Sequence, residues 1–357
     1  MRPTYAEIDL GAVRHNVAAL RSATAPAGVC AVVKADGYGH GDAPVAEAAL
    51  EAGAERLAVA LVEEGVRLRE AGIEAPILVL SEPDDVSVPD VGKWGLTPTA
   101  YSQSMIVALG ELASDRPVHI KIDTGMHRVG AEPESVPGLI DAAFRVGLEV
   151  EGLWTHFAVA DEDPVFTEAQ LDQFMTTVEP YEPPLLHLAN TAGALLFPES
   201  RQSFSRIGLG MYGLHPCDDT RDLVSLRPAM RIVTHVSQVR RLEAGARPSY
   251  GRVRALEGPA SVATAPIGYA DGFSRRLSTS GEALIGGNRF PLAGMVTMDQ
   301  IVIDVGDAEV QQGDEVVVLG EQSGAEVTAD DWARELGTIS YEVVCGIGPR
   351  VPRRYLS

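Results

Sequence analysis

The sequence predicts an α/β protein in two parts: a parallel (β/α)8 barrel of the TIM type, then a mostly β C-terminal domain. Three observations predict it. Through the first two thirds of the chain, short apolar runs alternate with amphipathic stretches, the pattern of parallel strands joined through helices. Eight such units fit into about 200 residues, and eight is the barrel count. After Pro228 the pattern changes to short alternating strands punctuated by Gly and Pro. A length of 357 residues suits a barrel with an appended domain. A doubly wound open sheet is the other architecture compatible with the first two thirds.

The N-terminal run Tyr5-Ala6-Glu7-Ile8-Asp9-Leu10 alternates, which predicts a strand added to the second domain. The expected division is therefore a barrel at 10–227 and a β domain at 228–357 that residues 1–9 join. Apolar runs predict barrel strands at 29–33, 57–61, 77–80, 118–122, 148–153, 185–188 and 207–211, with a weaker one near 95–97. Helices are expected at 43–52, 62–71, 101–112 and 167–178; in the last, Leu171, Phe174 and Val178 recur at helical spacing. Beyond Pro228, Met230, Ile232, Thr234 and Val236 alternate, and 301–303 and 316–319 are short apolar runs. Thr328 and Asp331 have the spacing of a capping box opening one late helix.

Composition narrows the function classes. Fifty Asp+Glu against 29 Lys+Arg leave a net charge of -21, without the basic footprint that nucleic acid or an anionic membrane requires. No apolar run approaches the roughly 18–20 residues of a membrane span. The start, Met1 to Leu10, lacks the layout of a signal peptide. Cys30, Cys217 and Cys345 are scattered, odd in number and without a CxxC, so neither a disulfide framework nor a metal site is expected. A cytoplasmic enzyme acting on a small molecule is the simplest expectation.

In a β/α barrel the polar residues just past the C-terminal strand ends form the active site. The run Val29-Cys30-Ala31-Val32-Val33 delivers Lys34 into the Gly-rich loop Ala35-Asp36-Gly37-Tyr38-Gly39-His40-Gly41. A desolvated lysine loses its proton readily, which suits covalent chemistry with a carbonyl. Taken alone, a surface lysine before a flexible turn explains the same string. Other strand ends add Lys121 with Asp123-Thr124-Gly125-Met126-His127-Arg128, then His156, His187 with Asn190 and Thr191, and Arg206 ahead of Ile207-Gly208-Leu209-Gly210. Each histidine alone fits a packed core position. Their shared place at strand ends predicts a cationic cup for an anionic cofactor and a carboxylate substrate. Gly208-x-Gly210-x-x-Gly213 matches a dinucleotide fingerprint as a string, but it comes late and runs into Pro216 and Cys217-Asp218-Asp219. A phosphate site using the Thr191 hydroxyl and the Gly208 and Leu209 amides suits the place better.

Together these strings resemble the alanine racemase family, pyridoxal 5'-phosphate (PLP) enzymes with a β/α barrel and a C-terminal β domain. The resemblance runs from Tyr5-Ala6-Glu7-Ile8-Asp9-Leu10 to Arg350-Val351-Pro352-Arg353. It implies that Lys34 attaches PLP and that Tyr38 touches its phosphate. It further implies that Arg128 bonds the cofactor's phenolic oxygen and the substrate carboxylate, that Arg206 faces the pyridine nitrogen, and that His156 and His187 line the ring. Asn190, Thr191, Gly208, Leu209 and Tyr341 are implied as the remaining cofactor contacts. In the second domain, Ser249-Tyr250-Gly251 resembles the second-base motif, Gly268-Tyr269-Ala270-Asp271-Gly272-Phe273 the entrance strand, and Met298-Asp299-Gln300 the loop that binds substrate carboxylate in the partner of a homodimer. Lys121 stands where many members carry a carbamylated lysine. Met295 stands where the family usually has an arginine lining the substrate corridor, and His127 replaces a common glycine.

The implied reaction is interconversion of L- and D-alanine, which supplies D-alanine for peptidoglycan. It needs one base on each face of Cα, Lys34 and Tyr250, with PLP as electron sink. Guanidinium keeps its proton, so Arg206 would leave the pyridine nitrogen unprotonated and the carbanion brief, favouring return of the proton over transamination. A barrel-type PLP decarboxylase would be expected to have an acidic residue in that place. A non-catalytic PLP-binding barrel would lack Tyr250 and Met298-Asp299. A racemase with broader specificity, for serine or larger amino acids, is the remaining alternative.

Overall fold

The computed structural model describes residues 2–357, and the chain divides into two compact units. The first comprises Gly11–Gly37 and Gly41–Arg227. The second comprises the chain up to Leu10, Tyr38–His40 and Pro228–Ser357. Among the described residues no helix is long and apolar enough to cross a membrane.

The strands in chain order are β1 (Tyr5–Asp9), β2 (Gly28–Val32), β3 (Arg56–Val59), β4 (Ile77–Val79), β5 (Thr97–Ala100), β6 (Val118–Lys121), β7 (Val150–Trp154), β8 (Leu185–His187) and β9 (Phe204–Ile207). Strands β2 to β9 form one parallel sheet in the order β8-β7-β6-β5-β4-β3-β2-β9. Its two ends meet through Ser203 N–H to Leu186 O (3.0 Å) and Arg206 N–H to Ala189 O (2.9 Å), which brings the sheet round into a barrel. The expected (β/α)8 architecture is therefore present.

β2 is buried along its whole length, because parallel strands covered on both faces need continuous apolar runs. The helix Pro164–Val178 starts where Asp163 Oδ1 accepts from Phe166 N–H (3.1 Å) and Pro164 presets φ. It buries Leu171, Phe174 and Val178, each contributing roughly 1.5–3 kcal/mol of apolar burial.

Two expectations are corrected. The last barrel strand is Phe204–Ile207, not 207–211; Leu209–Tyr212 is a 3-10 turn. Ser205 and Arg206 disguised it, because their polar side chains are buried rather than exposed. The weak strand near 95–97 lies at Thr97–Ala100, whose threonines and proline give little apolar signal.

In the second unit the strands are β10 (Met230–His235), β11 (Gln238–Leu242), β12 (Ala260–Ala265), β13 (Glu282–Ile285), β14 (Asn288–Pro291), β15 (Ile301–Gly306), β16 (Glu315–Gln322), β17 (Ala325–Val327) and β18 (Arg353–Leu356). One sheet runs β14-β13-β16-β10-β1-β18, with β17 on β16; a smaller one runs β11-β12-β15. β1 lies in the interior of the larger sheet, antiparallel to β10 and parallel to β18. The helix Ala329–Leu336 opens on the reciprocal pair Asp331 N–H to Thr328 Oγ1 (2.9 Å) and Thr328 N–H to Asp331 Oδ2 (3.0 Å).

Candidate active site

After β2 and Lys34 the backbone turns left-handed from Ala35. Ala35, Asp36, Gly37, Tyr38 and Gly39 have φ of 53, 53, 59, 53 and 78°. Non-glycine residues there cost roughly 1–2 kcal/mol each, so Ala35, Asp36 and Tyr38 together store about 3–6 kcal/mol. Specific bonds hold the turn. Gly37 N–H donates to Val33 O (3.0 Å) and Gly41 N–H to Asp36 O (2.8 Å). Ala35 N–H donates to Glu64 Oε1 (2.7 Å), while Glu64 Oε2 accepts from Ala60 N–H (2.7 Å) and Leu61 N–H (3.1 Å). One buried carboxylate thus ties the Lys34 turn to the loop after β3. Sequence reading missed Glu64, since one acid in the pair Glu63-Glu64 carries no sign of which faces inward.

Arg206 is buried in β9. Its Nη1 donates to His187 Nδ1 (2.8 Å) and His187 O (3.0 Å). Its Nη2 faces Thr155 O (2.8 Å), Leu188 O (2.9 Å) and His156 Nδ1 (3.0 Å). The Nη hydrogens are committed, and Nε–H has no acceptor among the described residues. Burial lowers the Arg206 pKa to about 10, which still leaves it protonated near neutrality.

His156 shows how much positive charge gathers here. Burial and the charges of Arg206, Arg128, Lys121 and Lys34 hold it well below the usual histidine range. Burial, with the Arg128 and Arg206 charges adding and Asp123 opposing, lowers Lys121 to about 8. Lys121 Nζ donates to Val129 O and lies 5.3 Å from the Trp154 ring centroid, which Arg206 Cζ approaches to 4.6 Å. Trp154 Nε1–H is buried without an acceptor among the described residues. The sequence hides the role of Trp154, which shows as one more apolar residue at the end of β7.

Asp123 Oδ1 accepts from Gly125 N–H and His127 N–H, both at 3.0 Å, and shapes the loop to Arg128. Arg128 is exposed and pairs with no group among the described residues. His127 has φ of 52°, the left-handed region that explains why glycine suits the position. Asn190 Oδ1 caps the helix Thr191–Leu196 through Gly193 N–H (2.8 Å), and the buried Thr191 Oγ1 accepts from Gly210 N–H (3.5 Å). Gly208 and Leu209 open the 3-10 turn beside them.

The second unit holds the other expected residues. The rings of Tyr38 and Tyr341 lie 6.0 Å apart, and burial pushes the Tyr38 hydroxyl above its ordinary range. Gly39 continues that segment, and a Cβ there would lie 2.5 Å from Val344 O. Tyr250 is 73% exposed at the start of the turn Tyr250–Arg252, next to Ser249, whose hydroxyl donates to Met295 O (2.6 Å). Tyr269 and Met298 are brought together by Tyr269 N–H to Thr297 O (3.0 Å) and Ala270 N–H to Met298 O (3.1 Å). The buried Asp271 pairs with Arg2 and Arg350, and Arg350 also reaches Asp299 (2.6 Å).

The donor set fits PLP. Converging cations suit a phosphate and a phenolic oxygen, and the free Arg206 Nε–H suits a pyridine nitrogen that accepts a hydrogen bond.

Family models agree. Residues 8–216 match the alanine racemase N-terminal domain and 229–355 its C-terminal domain. A Symbiobacterium thermophilum alanine racemase is 45% identical, with 99% of this chain and 97% of the relative covered. Alanine racemase 2 of Bacillus subtilis is 41% identical over 99% of this chain and 95% of its own. Among solved structures, a Bacillus anthracis alanine racemase with bound L-Ala-P has TM-score 0.93 and 35% identity, covering 100% of this chain and 96% of that one. The biosynthetic alanine racemase of Pseudomonas aeruginosa has TM-score 0.89 and 34% identity, with both chains fully covered.

Proposed function

The chain belongs to the alanine racemase family, and from that premise we infer that it interconverts L- and D-alanine on PLP, with Lys34 and Tyr250 as its two bases. The observation that carries the reading is the buried Arg206, saturated at both Nη groups with only its Nε–H left to give. When bound, PLP supplies the electron sink that makes the alanine Cα–H acidic. Lys34 Nζ takes or returns the Cα proton on one face, and Tyr250 Oη does so on the other. Arg206, which keeps its own proton, would lend the pyridine nitrogen of bound PLP only a hydrogen bond. With that nitrogen left unprotonated, return of the proton to Cα from Lys34 or Tyr250 would be favoured over transamination. Arg128 and the Met298-Asp299 segment hold the substrate carboxylate, and Tyr269 lines the entrance. Tyr38, Tyr341, Asn190, Thr191, Gly208 and Leu209 would hold the phosphate of bound PLP, and His156 and His187 would line its ring.

Further parts of the reading concern setting and assembly. Lys121 is carbamylated, since its lowered pKa leaves a neutral amine available to CO2 and a carbamate would relieve the repulsion from Arg128. The active form is a cytoplasmic homodimer in which Tyr250, Tyr269, Met298 and Asp299 serve the partner's Lys34, and the exposure of Tyr250 and Met298 supports that placement. The D-alanine formed serves peptidoglycan. The deciding experiment measures D- and L-products from alanine, serine, lysine and arginine with PLP present. Racemised alanine, turned over well ahead of the other three, is the expected result. Faster turnover of a larger amino acid would favour the broader racemase, for which Met295 in the corridor position is the specific motive.

A further inference from the structure

A hydrogen-bonded chain runs from Arg206 through the barrel interior toward the opposite end. Arg206 Nη1 lies 2.8 Å from His187 Nδ1, His187 Nε2 lies 2.9 Å from His119 Nδ1, and His119 Nε2 lies 2.8 Å from Glu151 Oε2. Both rings are fully buried, whereas the Glu151 side chain is 29% exposed. Glu151 stands near the start of β7, four residues before Thr155, about 13 Å along a strand that rises ~3.3 Å per residue.

The ends of the chain dictate its polarity. Guanidinium only donates and carboxylate only accepts. His187 Nδ1 must therefore be the acceptor for Arg206, which puts its ring proton on Nε2. That proton is given to His119 Nδ1, so His119 also carries its proton on Nε2 and gives it to Glu151. Burial, with the Arg206 charge opposing a second proton, keeps both rings below the usual histidine range and so neutral near pH 7.

The surroundings are built around this chain. Gly152 is the strand partner of His119, and a Cβ there would lie 2.7 Å from His119 Nδ1, so only glycine leaves room for the ring. His187 is stacked between Phe204 (4.4 Å between centroids) and Trp154 (5.4 Å). The Arg56 charge, one of the smaller contributors, helps keep Glu151 ionised.

We propose that Glu151 is a positioning residue for the racemase reaction: from the far end of the barrel it fixes the His187 tautomer, and thereby holds the Arg206 Nε–H on the pyridine nitrogen of the cofactor. The proposal rests on the reading of Arg206 given above. Without an acceptor at Glu151, His119 is free to carry its proton on Nδ1 and becomes a donor toward His187. His187 must then move its own proton to Nδ1, where it confronts Arg206 Nη1 donor to donor. The guanidinium shifts, and its bond to the pyridine nitrogen loses its direction.

The test combines side-chain nitrogen NMR of histidine-labelled protein, with and without PLP, and kinetics of wild type, Glu151→Leu and Glu151→Gln. In the wild type both His187 and His119 are expected to be protonated at Nε2. Glu151→Leu should populate the Nδ1–H form of His187, lower kcat about tenfold with less than a twofold change in KM, and raise the transamination share severalfold. Glu151→Gln, which keeps an acceptor oxygen, should recover to within threefold of the wild-type kcat. His187 protonated at Nδ1 in an active wild type would overturn the proposal alone, even if no variant folds. So would a Glu151→Leu protein whose tautomers and transamination share match the wild type. A wild type that binds PLP but racemises none of the four amino acids would overturn the function reading, and this role with it.

Discussion

At the scale of single residues, Lys34 is the sharpest commitment. The chain has only three lysines, Lys34, Lys93 and Lys121, so a borohydride-reduced PLP adduct can be mapped to one peptide without ambiguity. Lys34→Ala should lose both the adduct and the visible absorbance of bound PLP; an adduct that survives would refute the assignment. Lys121 makes a prediction with a pH sign. Its pKa of about 8 means the neutral amine that attacks CO2 predominates above pH 8 and becomes scarce below it. Carbon-13 bicarbonate should therefore give a carbamate resonance that strengthens as pH rises through 8 and is absent in Lys121→Ala. An unmodified Lys121 beside a bound anion would contradict it. Lys34, His156 and His187 were legible because each follows or ends an apolar run. Arg206 was legible by type but misplaced, since a buried arginine inside a strand leaves no apolar signature. Glu64, Trp154, His119 and Glu151 were not singled out, because what each does depends on neighbours distant in sequence.

Individual elements show the same boundary between what is local and what is not. The capping box at Thr328 and the helix Pro164–Val178 follow from spacing alone, and both are found. The left-handed turn after Lys34 does not. Gly37 and Gly39 permit it, but nothing in Ala35 or Asp36 calls for it, and only the acceptors around it hold it. Glu64→Leu tests that account. Three backbone donors would lose a charged acceptor, which should destabilise the barrel by about 2–4 kcal/mol in chemical unfolding. PLP affinity should fall more than tenfold as Lys34 loses its setting. Unchanged stability together with wild-type PLP binding would show that the turn holds itself.

For the molecule as a whole, the two sets of site residues lie on separate units: Lys34, Arg128 and Arg206 on the barrel, Tyr250, Tyr269 and Met298 on the β unit. In a shared-site dimer, Lys34→Ala and Tyr250→Phe homodimers are each nearly inactive. After subunit exchange, the heterodimer has one doubly lesioned site and one intact site, so activity should return toward half the wild-type value. No recovery despite confirmed exchange would place both bases in one chain. The interior place of β1 has a consequence of a different kind. That strand is synthesised before the barrel, yet both its neighbours, β10 and β18, come after it. At roughly 5–20 residues per second, the roughly 220 residues between β1 and β10 take about 10–45 s to emerge. Throughout that time an apolar strand with Ala6 and Ile8 waits unpaired while the barrel folds behind it. During that interval the nascent chain is open to misassociation at β1. The larger sheet is completed only once β18 has emerged, so chains stalled short of Arg353 should be left with an unpaired edge on β1 that chaperones and proteases recognise.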